Sequence, residues 1–334
     1  MKRFKHRGPT AKDVAEAIGV SPSAVSRALR ADASASPAMR VKVRSAADRL
    51  GYRPNVMARA IVTGHSDLVG IVLRTSTIST YPEAIETLTT EIERQNRRAL
   101  LFTLVDGSID TLLRDLLAYG LQGVIALCDL PDALTIRLKR YHLPVVLLNR
   151  TDPSASLSSA ACDHIQAGQA LARRLLAVGY RRFALICGPE NSRLGIERIE
   201  GVAMAVGEYC SAQVVTRLAN DYSYAGGKAA MAEIAMTTAS PDVVVAANDL
   251  AAIGALDHAR QTLPMAIPRQ LGFAGFDGTS SAQWSSYRLT TMRTPIRHIA
   301  AAAVDLIVKS GGGECERRVF AAQFVQGATT RADG

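Results

Sequence analysis

The chain has 334 residues, of which 48% are hydrophobic, 21% charged and 5% aromatic, and its net charge at pH 7 is +9. This composition excludes an intrinsically disordered chain, and the length is typical of about two domains with a sizeable core. No run of about 18 apolar residues and no apolar leader are present, so we expect a soluble, cytoplasmic protein. The five scattered cysteines exclude a disulfide framework and a CxxC metal site, and we expect them to be reduced thiols in the core.

The positive charge is concentrated at the beginning of the chain. Residues 1–64 contain 13 Lys and Arg against 4 Asp and Glu, whereas residues 65–334 contain 26 of each. A basic head on a neutral body is typical of nucleic-acid binding, because clustered Lys and Arg release counterions from a polyanion. A solvated basic tail would have low sequence complexity and no periodic pattern. The head has a varied sequence with apolar residues at regular spacing, so it does not fit that alternative.

Two short helices are predicted in the head. Thr10 and Asp13 have the spacing of a capping box, and Val14, Ala17 and Ile18 recur at helical spacing on the apolar face until Gly19 ends the helix. Ser21 is the N-cap of a second helix, with Pro22 at its first position. A turn of about three residues between two short helices predicts a helix-turn-helix, whose second helix lies in the DNA major groove.

The second helix has an apolar and a polar face. Val25 and Leu29 form an i, i+4 apolar pair that we expect to face the core. The outward face would then meet DNA, and it carries Pro22, Ser23, Ser26, Arg27 and Arg30.

A third helix is predicted from the cap Ser36 and Pro37 to Gly51. Its apolar face consists of Met39, Val43, Ala46, Ala47 and Leu50. Residues 55–62 follow as a short apolar helix capped by Asn55. Because such a short helix is marginal in water, we expect it to fold only against a second copy or a DNA groove.

From residue 67 onward, short Val, Ile and Leu runs alternate with longer amphipathic segments. The predicted strands are 68–73, 99–104, 123–127, 145–148, 183–187, 243–246 and 272–276. The predicted helices are 83–97, 109–119, 132–141, 165–178, 195–209, 224–236, 249–260 and 296–308. This alternation predicts an α/β fold with parallel, doubly wound sheets, and a ligand beyond the carboxyl ends of the strands. Because the polar stretch 149–159 interrupts the series, we predict two similar subdomains.

The chain shows no signature of a catalytic site. It has no Walker A loop, GxGxxG, GxSxG or HExxH motif, and none of its six histidines pairs with Cys, Asp or Glu at metal-ligand spacing. We therefore predict a protein that is not an enzyme and that uses no cofactor or metal.

Several motifs of the head occur in a recognisable order: Asp13-Val14-Ala15, Gly19-Val20-Ser21, Val25-Ser26-Arg27 and Leu50-Gly51-Tyr52-Arg53-Pro54-Asn55. They closely resemble the N-terminus of the lactose/galactose repressor family of bacterial transcription regulators. The resemblance implies a homodimer on a near-palindromic operator, with paired hinge helices that wedge an apolar side chain into the minor groove. Ile61 stands at the wedge position, where the family usually has leucine. The residues that we expect to contact DNA are Thr10, Ser21, Pro22, Ser23, Ser26, Arg27, Arg30, Tyr52, Asn55, Arg59 and Ile61.

The body resembles the periplasmic sugar-binding fold that this family uses, through motifs that include Arg198-Ile199-Glu200-Gly201, Ala247-Asn248-Asp249 and Gly275-Phe276-Asp277. The resemblance implies that Arg198, Asn248 and Asp277 bind effector hydroxyl groups. These side chains supply the mixed donors and acceptors that a polyol needs. By position, the further candidates are Asn149, Tyr222, Tyr81, Trp284 and Thr294.

Each of these residues also has a simpler explanation. Asp277 could cap a turn before Gly278, Arg198 could be a solvated helix arginine, and Trp284 fits a core as well as a pocket. Three further arginines would favour an anionic effector, although surface arginines are common in this chain; they are Arg74, Arg193 and Arg293. The sequence departs from the family pattern at Gly278, where a second Asp is common, and at Gly327, where an Arg is usual.

Three segments are predicted: a DNA-binding domain (1–54), a hinge helix and linker (55–66), and an effector-binding and dimerisation domain (67–334). We expect the two subdomains of the last to comprise about 67–163 with 295–325, and 164–294. No leucine heptads follow the last strand, so we expect a dimer. The predicted function is a DNA-binding transcription regulator, a repressor controlled by a small sugar-like effector in the cleft between subdomains. The alternative is a cytoplasmic sugar-binding or sugar-converting protein whose basic head serves another purpose.

Overall fold

The structure is a computed structural model, and it describes residues 8–29, 35–53, 66–75, 78, 81–105, 107–152, 154–238, 240–309 and 315–332. Two compact units divide the chain, Met1–Ser66 and Asp67–Gly334. Part of the expected DNA-binding surface lies outside the described residues, namely Arg30, Asn55, Arg59 and Ile61, together with the rest of the predicted hinge helix.

The head contains the three predicted helices, α1 (Ala11–Ile18), α2 (Pro22–Ala28) and α3 (Pro37–Leu50). Thr10 and Asp13 form the expected capping box of α1. Gly19 ends that helix with φ of 68°, a left-handed conformation that glycine adopts without a steric penalty. Ser21 caps α2 by accepting a hydrogen bond from the backbone N–H of Ala24.

A small core holds the head together. Its centre consists of Val14, Val25 and Val43, all with 0% exposure, because one position of each helix faces the other two. The prediction of the apolar faces is wrong at two positions, because Ala17 and Leu50 are exposed. In α1, Ala15 is buried in place of Ala17. Both exposed residues lie near the ends of their helices, where the turn no longer faces a neighbouring helix.

The body alternates strands and helices throughout. Its strands are β1 (Leu68–Leu73), β2 (Arg98–Thr103), β3 (Gly123–Ala126), β4 (Val145–Leu148), β5 (Ser158–Cys162), β6 (Arg182–Ile186), β7 (Gln213–Leu218), β8 (Val243–Ala246), β9 (Gly272–Asp277), β10 (Thr290–Arg293), β11 (Arg317–Phe320) and β12 (Gln323–Val325). Its helices are α4 (Pro82–Arg94), α5 (Ile109–Ala118), α6 (Asp132–Arg140), α7 (His164–Ala177), α8 (Arg193–Gly207), α9 (Tyr224–Met236), α10 (Asp249–Thr262) and α11 (Ile296–Lys309).

The described strands form two six-stranded sheets. The first has the order β11-β5-β4-β3-β1-β2, and the second has the order β12-β10-β9-β8-β6-β7. All pairs are parallel except β10 with β12. Helices cover both faces of each sheet, because α4 and α11 pack on one face of the first and α5 and α6 on the other, while α7 and α8 face α9 and α10 across the second. The predicted fold class, a helical head followed along the chain by an α/β body of two doubly wound sheets, is confirmed.

The boundary between the two lobes differs from the expectation at the C-terminus. We expected residues 295–325 to belong with the first subdomain, but Gln323–Val325 pairs with β10 of the second sheet. The chain then continues along the second lobe, where the Thr329 hydroxyl donates to the Phe273 carbonyl at 2.7 Å. Strand pairing decides to which lobe residues 323–325 belong, because a strand of three residues has too short a hydrophobic pattern to predict its sheet.

Three further observations bear on the expectations above. Among the described helices, none combines the length and the apolar character needed to cross a bilayer, and no cluster of three metal-ligating side chains occurs in the same residues. The cysteines only partly match the prediction, because Cys128 and Cys162 are buried whereas Cys210 and Cys315 are exposed.

Candidate functional site

A cavity of about 590 Å³ lies between the two lobes of the body. Residues at the carboxyl ends of strands line it from both sheets, with Leu127 and Asn149 following β3 and β4, and with Asp277 and Thr294 at the ends of β9 and β10. The first turns of α4 and α11 complete the wall. The cavity therefore lies where parallel sheets normally place a ligand.

Arg198 and Asp277 form a buried ion pair at the back of this cavity. The Arg198 Nη2 donates to the Asp277 Oδ1 at 2.7 Å, and the two side chains are 1% and 8% exposed. The remaining Arg198 donors reach the Ala247 carbonyl at 2.8 Å and the His164 Nδ1 at 3.4 Å. The guanidinium also lies 5.3 Å from the ring centre of Phe276. Arg198 is thus not a solvated helix arginine, and its described contacts use all three nitrogens.

Burial controls the protonation of the groups around this pair. Burial raises the pKa of the Asp277 carboxyl, while Arg198 opposes that shift. Burial and the adjacent Arg198 hold the pKa of His164 well below its ordinary value, so the ring is neutral at pH 7. The Nε2 of that ring then carries the proton, because it lies 3.2 Å from the Asn149 carbonyl while Nδ1 accepts from Arg198.

Three of the weaker candidates line the cavity with Asn149 and Asp277. Tyr81 precedes α4, Thr294 is almost buried, and Trp284 is 60% exposed at the mouth, where it stacks on Tyr287. The Tyr81 hydroxyl is buried beside the Asp277 carboxylate, and its interaction with that carboxylate favours the ionised form of Asp277. Burial and the nearby Asp277 raise the pKa of Tyr81 well above the ordinary value. A neutral hydroxyl with unused hydrogen-bonding capacity is what a polar ligand would need there.

Asn248 and Tyr222, in contrast, do not line the cavity. Asn248 is fully buried as the N-cap of α10; its Oδ1 accepts from the Ala251 N–H and its Nδ2 donates to the Tyr222 carbonyl. The Tyr222 ring lies against Gly188 and Gly195, where a Cβ would come within 2.3 and 2.4 Å of its hydroxyl oxygen. Both side chains therefore have structural roles in this conformation, which the motif could not reveal.

Direct hydrogen bonds connect the two lobes across the cleft. The Glu83 carboxylate on α4 accepts from the backbone N–H of Ser280 at 2.9 Å and from its hydroxyl. On the neighbouring side, the Thr151 hydroxyl donates to the Glu197 carboxylate on α8 at 3.0 Å. These contacts hold one particular relative position of the lobes.

The sequence reasoning missed several residues of the cavity wall. Arg150 is the clearest case, because it follows β4 and Asn149 directly and its side chain is only 12% exposed. The rule that ligands lie beyond strand ends would have found it. Glu83 and Ser280 carried no such signal, since they meet only through the tertiary structure. Arg293 lines the cavity, whereas Arg193 pairs with Glu197.

The head presents a polar surface on α2. Ser23, Ser26 and Arg27 are exposed, as predicted, and Pro22 is exposed at the start of the helix. The hydroxyl groups of Thr10 and Ser21 are engaged as helix caps. Tyr52 is half-buried and packs on the core of the head, so most of its ring supports the fold.

Two family models match the chain in the order of its units. "Bacterial regulatory proteins, lacI family" matches residues 10–55, and "Periplasmic binding protein-like domain" matches residues 172–330. The first match covers the three helices of the head, and the second covers most of the second lobe and the C-terminal elements.

Curated relatives match along nearly the whole chain. The transcriptional regulator CelR of Thermobifida fusca is 28% identical over 93% of this chain and 94% of its own length. The transcriptional repressor PurR of Klebsiella pneumoniae is 26% identical over 90% of this chain and 89% of its own. Both are named as regulators and neither as an enzyme.

Solved structures share the fold. The lac repressor dimer bound to operator and the anti-inducer ONPF has a TM-score of 0.87 at 22% identity, covering 98% of this chain and 100% of the repressor. The complex of CelR with cellobiose has a TM-score of 0.73 at 25% identity, covering 96% of this chain and 99% of CelR. Since head and body match the same group of proteins in the same order, the chain belongs to the lactose/galactose repressor family of DNA-binding transcription regulators.

Proposed function

We propose that the protein is a repressor in the cytoplasm that binds a near-palindromic operator as a homodimer and is released or recruited by a small polyhydroxylated effector. The observation that carries this proposal is the pairing of a matched helix-turn-helix head with a body whose two lobes form a cavity lined by charged and hydroxyl side chains among apolar ones. A sugar-converting enzyme would not need the head, and the similarity to named transcriptional regulators extends over about nine-tenths of this chain, so it includes both head and body.

In the head, Ser23, Ser26 and Arg27 on α2 would read base edges, with Arg27 as the residue suited to a bidentate contact with guanine. Their exposure supports this role. Thr10, Ser21 and Pro22 would position the backbone near the phosphates. The remaining proposed contacts are Arg30, Tyr52, Asn55, Arg59 and Ile61, with Ile61 as the minor-groove wedge.

In the body, the effector would bind in the cavity against Asn149, Tyr81, Thr294 and Asp277, with Trp284 covering an apolar face of the ligand. Arg198 would act through Asp277, whose carboxylate it orients. Asn248 and Tyr222 would support the site from behind, or join it if the lobes move.

Control of DNA binding would follow from the relative position of the lobes. An effector changes that position only through different affinities for the arrangements that do and do not bind the operator. The cross-lobe hydrogen bonds of Glu83 and Thr151 are contacts that such a movement would break or remake.

The proposal is tested by selecting duplexes from a randomised pool with the full-length protein. We expect enrichment of a near-palindromic motif, and an affinity that falls steeply with salt because phosphate contacts release counterions. Arg27→Ala should lower discrimination between selected and random DNA by about tenfold, corresponding to about 1.4 kcal/mol, without changing the body. Failure to enrich any sequence would contradict the proposal.

A second test addresses the cleft. Asp277→Ala should abolish the response of operator binding to an effector, while operator binding itself is retained at a temperature at which circular dichroism shows the variant to be folded. An unchanged response would remove Asp277 from the effector site.

A further inference from the structure

The charge of the cavity wall is unbalanced. Three guanidinium groups line it, those of Arg150, Arg293 and Arg297, together with the ring of His298. The carboxylates in the wall are Glu83 and Asp277. Asp277 is already neutralised by Arg198, and Glu83 accepts two hydrogen bonds from Ser280. Positive charge is therefore left over along the cavity wall.

Arg150 is the most enclosed of the three. Its side chain is 12% exposed, and its Nε has no hydrogen-bond partner in the part of the chain that the structure describes. The Asp129 carboxylate lies 3.8 Å away and is 42% exposed, so it compensates the charge only loosely. A largely desolvated guanidinium with an unused N–H is costly unless a ligand supplies an acceptor.

Arg293 is the last residue of β10 in the second sheet, and Arg297 lies in the first turn of α11, which packs on the first sheet. Within the described residues, neither forms an ion pair or a side-chain hydrogen bond with a carboxylate. Gly278 allows the close approach of Arg293, because a Cβ at this position would lie 2.6 Å from the Cβ and the Cγ of Arg293. Gly278, which departs from the family pattern, thus leaves room for the side chain of Arg293 because it has no side chain of its own.

Two helix N-termini add to the positive electrostatic potential in the cavity. The N-termini of α4 and α11 both contribute their first residues to the wall, and Tyr81 makes no side-chain cap on α4. The N-terminus of a helix carries a partial positive charge and free N–H groups. The buried Tyr81 hydroxyl faces the same cavity beside Asp277.

We infer that the effector is an anion, a polyhydroxylated molecule whose carboxylate or phosphate group binds Arg150, Arg293 and Arg297. This inference rests on the proposed function and deepens it. The hydroxyl groups of the ligand bind Asn149 and Asp277, and the planar guanidinium groups match the geometry of an oxyanion.

The experiment is calorimetric titration of the full-length protein with matched probes. For glucose and for galactose, the neutral sugar, its aldonate, its uronate and its 6-phosphate are compared at low and at high salt. We expect at least one anion to bind about tenfold or more tightly than its neutral parent, and to bind more weakly at high salt. The carboxylate and phosphate members of each set identify which oxyanion the site prefers.

Substitutions then locate the anion. Arg150→Gln and the double variant Arg293→Gln with Arg297→Gln should each weaken binding of the anion about tenfold or more. The exposed Arg173→Gln, which breaks only the surface pair with Glu208, is the matched control and should leave the affinity unchanged. The double variant keeps the test valid if the buried Arg150→Gln fails to fold, because both of its positions are exposed.

Two results would overturn the inference. If a neutral sugar binds as tightly as its anions and the arginine substitutions have no effect, the effector is uncharged, and a loss of that binding in Asn149→Ala would leave the proposed function intact. If none of the probes binds at millimolar concentration, the anion site is wrong, and the proposed function is judged by the operator selection.

Discussion

Arg198 and Asp277 show how a buried charge is accommodated at a ligand site. A guanidinium that is 1% exposed would be very costly alone, but each of its nitrogens has a partner and the carboxylate lies at 2.7 Å. Asp277 itself has φ of 110°, an uncommon backbone conformation that places its side chain beside both the pair and the cavity. The ion pair therefore holds the back of the cavity in a fixed arrangement that does not depend on a ligand.

Loss of one partner should be strongly destabilising. Asp277→Asn would leave Arg198 with an uncompensated charge in the interior, and we expect the free energy of unfolding of the body to fall by about 3 kcal/mol. Urea unfolding followed by circular dichroism measures this change. Glu200→Gln breaks the surface pair with Arg217 and should cost less than about 1 kcal/mol, so equal effects would contradict the burial argument.

Asp249 makes a pH-dependent contribution. Burial and the neighbouring Asp277 raise its pKa from 3.8 to about 7, although Thr279 and Thr291 donate hydrogen bonds to it. Between these two values the unfolded chain has lost the proton that the folded protein keeps, so stability declines as the pH rises. Relative to Asp249→Asn, wild-type unfolding free energy should decline between pH 4 and 7, by at most about 1.4 kcal/mol per pH unit. A difference between the wild type and Asp249→Asn that stays flat over this pH range would refute the assignment.

At the scale of elements, a few residues of α2 determine which of its side chains are exposed for DNA recognition. Ser21 and Pro22 set the start of the helix, and Val25 and Ala28 attach it to the core of the head. Since the inward side is fixed by these two residues, the serine and arginine side chains of the other side are left exposed.

Removing the cap should loosen this helix. Ser21→Ala deletes the acceptor for the Ala24 N–H and should cost about 1 kcal/mol of local stability. Amide hydrogen exchange in residues 24–28 should then be about fivefold faster. Ser26→Ala, on the exposed side of the same helix, should leave exchange nearly unchanged, and a similar acceleration there would argue against the cap as the cause.

At the scale of the molecule, the body consists of two lobes that the chain visits alternately. It passes between the sheets after β5, after β10 and after β11, so each lobe is built from separated segments. Such multiple crossings allow one lobe to move against the other as a unit, with the cross-lobe hydrogen bonds as the contacts that change.

Glu83 offers a direct measurement of this lobe contact. Glu83→Ala removes the acceptor of the Ser280 N–H, and we expect that amide to exchange about five- to tenfold faster, corresponding to about 1 kcal/mol. Glu86→Ala lies one turn further along the same helix on an exposed position and serves as the control. If the Ser280 amide is unaffected in Glu83→Ala, this hydrogen bond does not hold the lobes.

Local signals were sufficient for much of this molecule. The caps Thr10, Ser21 and Ser36 located the head helices, and continuous Val, Ile and Leu runs located the strands buried on both faces, such as β1 and β8. The strands missed from the sequence were β5, which is made of small residues, β10, which begins with two buried threonines, and the edge strands β7, β11 and β12, which are half-exposed. A strand that depends on its neighbours for pairing leaves no apolar run to detect.

The sequence by itself therefore determined the helical head, the alternating α/β body and the family, because caps, periodicity and motifs are properties of neighbouring residues. The tertiary structure alone decided which candidates meet in the cleft. Asp277 faces the cavity while Asn248 is used as a helix cap, and Glu83 reaches Ser280 across 197 positions of chain. Such contacts depend on how two sheets are placed against each other, and burial and hydrogen bonding act only once that placement brings distant side chains together.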